Sequence, residues 1–205
     1  MNKGNKILIG IGLFIVLLIA MGGCTYNGMM RANEEVNNAW SNVEAQYQRR
    51  ANLIPNLVNT VKGYAAHEAS VLEKVTYARA GMESAADAAK EAISNTSPDA
   101  SSAQLADYVK AQQKLKDAMS IYINAVHEAY PDLKANENFS KLQDELAGTE
   151  SRVTKARQDY NSVVKTYNVK VRRFPANLLA GILGFSPRHS FQAEAGAENA
   201  PKVEF

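Results

Sequence analysis

Three histidines, one cysteine and two arginine pairs are the side chains of this 205-residue chain whose types could do chemistry. A di-metal carboxylate centre in a helical bundle needs Glu-x-x-His on each of two helices, so that both ligands project from one face. Tyr64 stands three residues before His67, and Asn124 three before His127. His67-Glu68 and His127-Glu128 also lack the second histidine that a zinc-protease helix carries one turn on, and Pro131 closes off the latter. His189 lies near the end of the sequence, outside any ligand spacing. Each histidine therefore reads as a surface or rim residue. No serine sits in a nucleophile elbow, and no glycine-rich phosphate loop is present. The lone Cys24 excludes an intrachain disulfide and a thiolate cluster within one chain. The expectation is a protein that is not an enzyme, with no catalytic residues, no metal and no cofactor.

The remaining candidates have structural readings. Nine tyrosines and one tryptophan could stack on bases, but most fall at core spacing, with rings inside and hydroxyls reaching the rim. Lys and Arg number 23 against 21 Asp and Glu, so no net field would draw nucleic acid. Arg49-Arg50 and Arg172-Arg173 fall at predicted helix C-termini, where they complement helix dipoles. The second pair, near a membrane, would also suit lipid headgroups.

The elements that carry these residues are all helical. Ala, Leu, Glu, Lys and Gln are abundant, and no strand-like alternation runs far. Ile7–Gly23 is a continuous uncharged run behind Lys3 and Lys6, and the next charge is Arg31. Roughly 20 helical residues cross a hydrocarbon core of about 30 Å, so Ile7 to Met30 is long enough for a transmembrane anchor. The same segment reads as a lipoprotein signal, because Met21-Gly22-Gly23-Cys24 resembles a lipobox whose cysteine is lipidated after cleavage. Under either reading the chain from Thr25 onward is tethered to a bilayer. Lys3 and Lys6 on one side, against Arg31 with Glu34 and Glu35 on the other, favour an extracytoplasmic main domain.

Beyond Gly28 the period becomes amphipathic. Val36, Trp40, Val43 and Tyr47 share one face of a first helix, about Gly28–Arg50. Pro55 deep inside a helix would cost about 3 kcal/mol. A break near Asn52, a good N-cap, followed by a second helix from Leu53 avoids that cost. Ser101 or Ser102 caps a third helix whose seam Leu105, Tyr108, Gln112, Leu115, Met119, Tyr122 and Val126 alternates three and four, as in a coiled coil. A fourth helix from Asn136 to Arg172 carries Phe139, Leu142, Leu146, Val153, Ala156, Tyr160, Val163 and Tyr167. A first helix unbroken through the second would reach about 100 Å, against about 45 and 55 Å for the others. Length matching therefore predicts an all-α fold: an N-terminal anchor helix followed by an up-and-down antiparallel four-helix bundle. The alternative is three long helices, the first kinked at Pro55. The domains are 1–27 (anchor), 28–174 (bundle), 175–185 (a short apolar C-terminal helix) and 186–205 (a flexible tail).

Up-and-down topology returns the fourth helix to the membrane end. There Phe174, Leu178, Leu179, Ile182, Leu183 and Phe185 form an apolar segment, either a plug for the bundle end or a contact surface for lipid, a second copy or a protein partner.

Several blocks resemble the LemA family. They are Tyr26-Asn27, Val36-Asn37-Asn38-Ala39-Trp40-Ser41, Gln48-Arg49-Arg50, Asn52-Leu53-Ile54-Pro55-Asn56-Leu57-Val58 and Thr60-Val61-Lys62-Gly63-Tyr64-Ala65-Ala66-His67-Glu68. Tyr160-Asn161, Phe174-Pro175-Ala176-Asn177, Gly184-Phe185 and the closing Pro201-Lys202-Val203-Glu204-Phe205 agree with that family's later pattern. The resemblance implies a bacterial membrane protein with an N-terminal anchor, a helical-bundle domain and no established enzymatic activity. It also implies an extracellular N-terminus, opposite to the charge count. Together these readings predict an envelope-anchored scaffold or adaptor. A self-assembling membrane organiser is the second reading, and an unrecognised hydrolase or metal protein the third.

Overall fold

The computed structural model describes residues 3–65 and 73–192; for 3–10, 14–15, 17–21 and 65 only the backbone is described. Four long helices make the body: α1 (Lys3–Ala65), α2 (Glu73–Asn95), α3 (Ser102–Ala129) and α4 (Glu137–Arg172). A 3-10 helix (Pro131–Ala135) links α3 to α4, and a five-residue α5 (Ala176–Ala180) follows α4. The starts of α3 and α4 are written locally. Ser101 and Gln104 form a reciprocal capping box, and the Asn136 side chain accepts from the Asn138 and Phe139 N–H groups.

Residues at opposite chain positions pair across the core, so the four helices run up and down. Met29–Tyr47 of α1 packs against Val153–Val171 of α4, while Ile54–Val61 meets Val75–Ala89 of α2 and Leu115–Val126 of α3. All seven predicted seam residues of α3 are buried. On α4 the buried valine is Val164, one position on from the predicted Val163. The buried stripe of α2 is Val75, Ala78, Met82, Ala86 and Ala89, mostly small side chains that allow close approach to α3.

The expected break near Asn52 is absent, and α1 runs through Pro55 as one helix. Two facts outweigh the local penalty. The core stripe continues without a phase change through Tyr47, Ala51, Ile54, Leu57, Val58 and Val61. Pro55 itself is exposed, so its lost hydrogen bond falls on the solvent side, where helix bonds already lengthen toward water. The length argument fails at its endpoint, because α2 is a separate helix from Glu73 and α1 as described is bounded by Ala65. From Gly28 it then extends about 57 Å at 1.5 Å per residue, close to about 54 Å for α4. Among the described residues the bundle thus has four long helices, and α1 makes no break at Asn52.

The α2–α3 hairpin is shorter, at 23 and 28 residues. It leaves one end of the α1–α4 pair without helical cover. The C-terminal segment fills that gap.

Candidate functional site

Three arrangements use the polar and exposed apolar residues of the chain. The first is a buried polar layer. Arg49-Arg50 is not at a helix C-terminus, since α1 continues beyond it. Arg50 lies three residues after Tyr47 and four before Ile54, on the core face, and is 2 % exposed. Its Nη1 donates to Glu150 Oε1 at 2.6 Å; its Nη2 donates to the Gln112 carbonyl at 3.0 Å and to Gln112 Oε1 at 2.8 Å. Gln112 Nε2 donates in turn to the Ala89 carbonyl at 3.1 Å. Residues from α1, α2, α3 and α4 meet in this one layer. Arg49 points outward to Glu145 of α4 at 2.7 Å.

The second arrangement is a C-terminal strap. Gly184, at φ 79°, lets the Phe185 N–H reach back to the Ala180 carbonyl at 2.8 Å and turns the chain along α4. The doublets Tyr160-Asn161 and Tyr167-Asn168, seven residues apart, then hold residues 186–191. Tyr167 Oη donates to the Ser186 carbonyl at 2.9 Å, and Tyr160 Oη to the His189 carbonyl at 3.3 Å. Each asparagine amide pairs reciprocally with one strap residue: Asn168 with the Arg188 backbone, and Asn161 with that of Phe191, at 2.8–2.9 Å. The register follows from geometry. Seven helical residues advance about 10.5 Å, and three extended residues about 10 Å.

Two strap side chains point inward. Phe191 is 5 % exposed and stacks on Trp40, with ring centroids 5.8 Å apart and an interplanar angle of 7°. The Arg188 guanidinium lies over the Tyr167 ring, donates to Asn33 Oδ1 at 2.7 Å and pairs with Asp99 in the α2–α3 loop at 2.7 Å. The expected flexible tail from residue 186 is therefore corrected for 186–192, whose backbone groups are tied to α4. Residues 193–205 lie outside the described part. No hydrophobic period marks the strap; the heptad repeat of Tyr-Asn on α4 is the signal that could have found it.

The third arrangement is an apolar end face. Ala176 and Ala180 are buried against the bundle end, which meets the plug reading. Phe174, Leu178 and Ile182 of the same segment are 78, 63 and 83 % exposed, with Leu183 beside them. Leu179 and Phe185 are half-buried, and Phe185 contacts the Tyr26 ring edge-on at 5.8 Å. The helical part is shorter than the expected 175–185, ending at Ala180 before turns over 181–184. The lead-in peptide Phe174-Pro175 is cis. One segment thus holds both buried plug residues and exposed apolar ones.

The other sequence-predicted positions do not converge. Cys24 is an exposed free thiol on α1. His67 lies outside the described residues. Burial, then Lys134, hold the His127 pKa below the usual imidazole range, and its Nε2 sits 3.2 Å from the Gln143 amide. His189 contributes its backbone carbonyl to the strap. Among the described residues no cluster of His, Cys, Asp and Glu could hold a metal ion. Among them, too, no helix is long and apolar enough to cross a membrane; the run Ile7–Gly23 falls partly on side chains outside them.

An antiparallel four-helix body keyed by one buried arginine layer and belted by its own C-terminal segment defines this chain as an all-α bundle protein. A model of the LemA family matches residues 39–205, and the chain belongs to that family. Among curated proteins it is 28 % identical to magnetosome protein MamQ 2 of Paramagnetospirillum magneticum over 194 residues, 91 % of this chain and 71 % of that one. It is 26 % identical to protein LemA of Metamycoplasma hominis, over 88 % of this chain and 77 % of the relative. A MamQ of Magnetospirillum gryphiswaldense is 27 % identical over 87 % of this chain and 68 % of its own length.

Proposed function

We propose that this LemA-family chain is a non-catalytic scaffold or adaptor, held at the bacterial envelope membrane by its N-terminal apolar run, with its bundle on the extracytoplasmic side. The carrying observation is α1, a single helix from Lys3 to Ala65. The uncharged stretch Ile7–Met30 and the first bundle helix therefore form one rod, and a span in the membrane would fix the direction of the bundle. At about 36 Å the stretch exceeds the hydrocarbon core by roughly one helical turn. That leaves Tyr26, 40 % exposed, at headgroup level, where aromatic side chains collect. Cys24 is the alternative attachment. Lipidation after cleavage before Cys24 would replace the span by acyl chains and leave the bundle at the same surface. Protein partners then meet the polar faces of the bundle.

Membrane fractionation with carbonate extraction, intact mass and protease access in spheroplasts together test this reading. The expected result is extraction only by detergent and cleavage from outside. A chain wholly in the carbonate-soluble fraction would overturn the tether. A stoichiometric metal in the purified protein would overturn the non-catalytic part. The second reading, a self-assembling membrane organiser, is favoured by the exposed Phe174, Leu178 and Ile182. A monodisperse monomer across concentrations in mild detergent would remove it.

A further inference from the structure

We infer that the apolar end face is a second membrane foot: Phe174, Leu178, Ile182 and Leu183 enter the outer acyl boundary of an anionic lipid surface, while Arg172 and Arg173 bind its headgroups. The inference rests on the tether proposed above and adds to it an occupant for this face. Four observations carry it.

The first is exposure. Three large side chains of this short segment are 63–83 % open. Ala176 and Ala180 supply the segment's packing on the bundle, so the open residues are not needed to close the core. The second is level. Phe185 contacts Tyr26, and the same core cluster joins Met29 to Ala176 and Ala180. The face therefore sits where α1 passes from its uncharged stretch into the bundle, at the predicted headgroup depth. Met30, 41 % exposed, lies at that level on α1 itself.

The third is charge. Arg172 and Arg173 are exposed at the end of α4, next to Phe174, and Lys165 and Val169 continue the same groove. Arg31 on α1 faces solvent at this end, opposed by the exposed Glu34 and Glu35. The balance is basic beside the apolar side chains, the arrangement that draws an interfacial segment to anionic lipid. The fourth is mechanical. A single rod leaves the bundle free to rotate about its axis, whereas a rod plus an off-axis foot fixes one side of the bundle toward the bilayer. A protein partner on this face would have to compete with the bilayer to which the proposed tether holds this end of the bundle.

The test uses the full chain with Cys24→Ser, labelled with an environment-sensitive dye at Ile182→Cys. It is reconstituted in vesicles of zwitterionic phospholipid with or without anionic phosphatidylglycerol, some carrying spin-labelled acyl chains. Ile121→Cys, 61 % exposed on α3, is the control. The expected result is a blue-shifted dye at 182, quenched by spin-labelled lipid at least about twofold more than at 121, as for an interfacial side chain. Arg172→Gln with Arg173→Gln should bring quenching in anionic vesicles down to the zwitterionic level. Chains that float with the vesicles but leave 182 as unquenched as 121 would overturn the foot and keep the tether. Protection at 182 that grows with protein density, without lipid quenching, would assign the face to a second copy and overturn the foot. Chains that fail to float would overturn the transmembrane form of the tether and the foot together.

Discussion

Replacing Arg50 by alanine should be among the most damaging single changes outside the aromatic core. The side chain makes three charge-assisted hydrogen bonds in one layer, at 2.6, 3.0 and 2.8 Å. Its removal leaves unequal debts. Glu150 is about one-third exposed and keeps Lys116 at 3.8 Å, so water screens much of its loss. Gln112, 3 % exposed, keeps its bond to the Ala89 carbonyl but leaves Oε1 without a donor inside the bundle. A buried acceptor without a donor costs about 1–3 kcal/mol, and breaking a buried ionic network about 3–5 kcal/mol. Discounted for the partial exposure of Glu150, the expected loss is about 3 kcal/mol. At roughly 2–4 °C per kcal/mol for a chain of this size, Tm falls by roughly 6–12 °C. Circular dichroism melts of the full chain in mild detergent measure this. The diagnostic partner is Arg50→Met with Gln112→Leu, which removes the charged and amide groups together. Its stability should return to within about 1 kcal/mol of the parent, because no buried Gln112 oxygen remains. A loss under about 1 kcal/mol for Arg50→Ala, or a double variant showing the summed loss of its singles, would refute the reasoning.

Asn161→Ala with Asn168→Ala removes four hydrogen bonds from the strap, and amide exchange at Arg188 and Phe191 should quicken at least about tenfold while exchange in α3 stays unchanged; equal protection of the strap would contradict its docking. Burial pushes the Tyr122 and Tyr160 hydroxyls up to about 12, and that of Tyr108 further. Because the folded state holds these protons longer than the unfolded chain, their linked stability is fully present below pH of about 10 and is lost as pH rises through about 12. An ultraviolet tyrosinate titration should show a late, unfolding-coupled phase; a single step near pH 10 would count against it. Pro55→Ala restores an interior helix hydrogen bond at an exposed position and should raise stability by about 1–2 kcal/mol, after the unfolded-state entropy that proline had removed is set against it. A lower Tm for that variant would show that Pro55 serves the bundle in some other way.

Where the sequence spoke through periodicity, it was legible. The α3 seam needed only alternation of three and four, and every member is buried. The C-terminal apolar segment lies at the bundle end toward which the topology pointed. At Pro55 and Arg50 local chemistry and the global stripe point to different structures, and the stripe prevails. Pro55 suggested a break because its cost is local and calculable, while the compensating stripe from Tyr47 to Val61 crosses it in phase. Arg50 falls at a helix end only if the helix breaks near Asn52, whereas its spacing from Tyr47 and Ile54 puts it on the core face. Gln112 is a seam residue, as its spacing predicts, and a polar residue in a seam calls for a partner, which is Arg50. The strap leaves no trace in hydropathy, because an extended segment clamped by side chains has no hydrophobic period of its own. Its information lies in the Tyr-Asn doublets of the helix that holds it.

The strap also orders events in time. Arg188 reaches Asn33 across 155 positions of sequence, so a ribosome delivers α1 long before the segment that must lie on it. Closing so long a loop from an unfolded chain is entropically costly and slow. Once α1 and α4 have packed, however, the remaining gap is only the turn from Arg173 to Arg188, on the order of 15 residues, and closure becomes nearly local. The natural sequence of assembly is therefore bundle first and belt last. Until the belt closes, Trp40, Tyr108 and Tyr160 lie partly uncovered. A nascent chain caught at that stage would present an aromatic surface that the finished protein never shows, and quality-control proteins that bind exposed aromatics would have a way to tell an unfinished chain from a finished one.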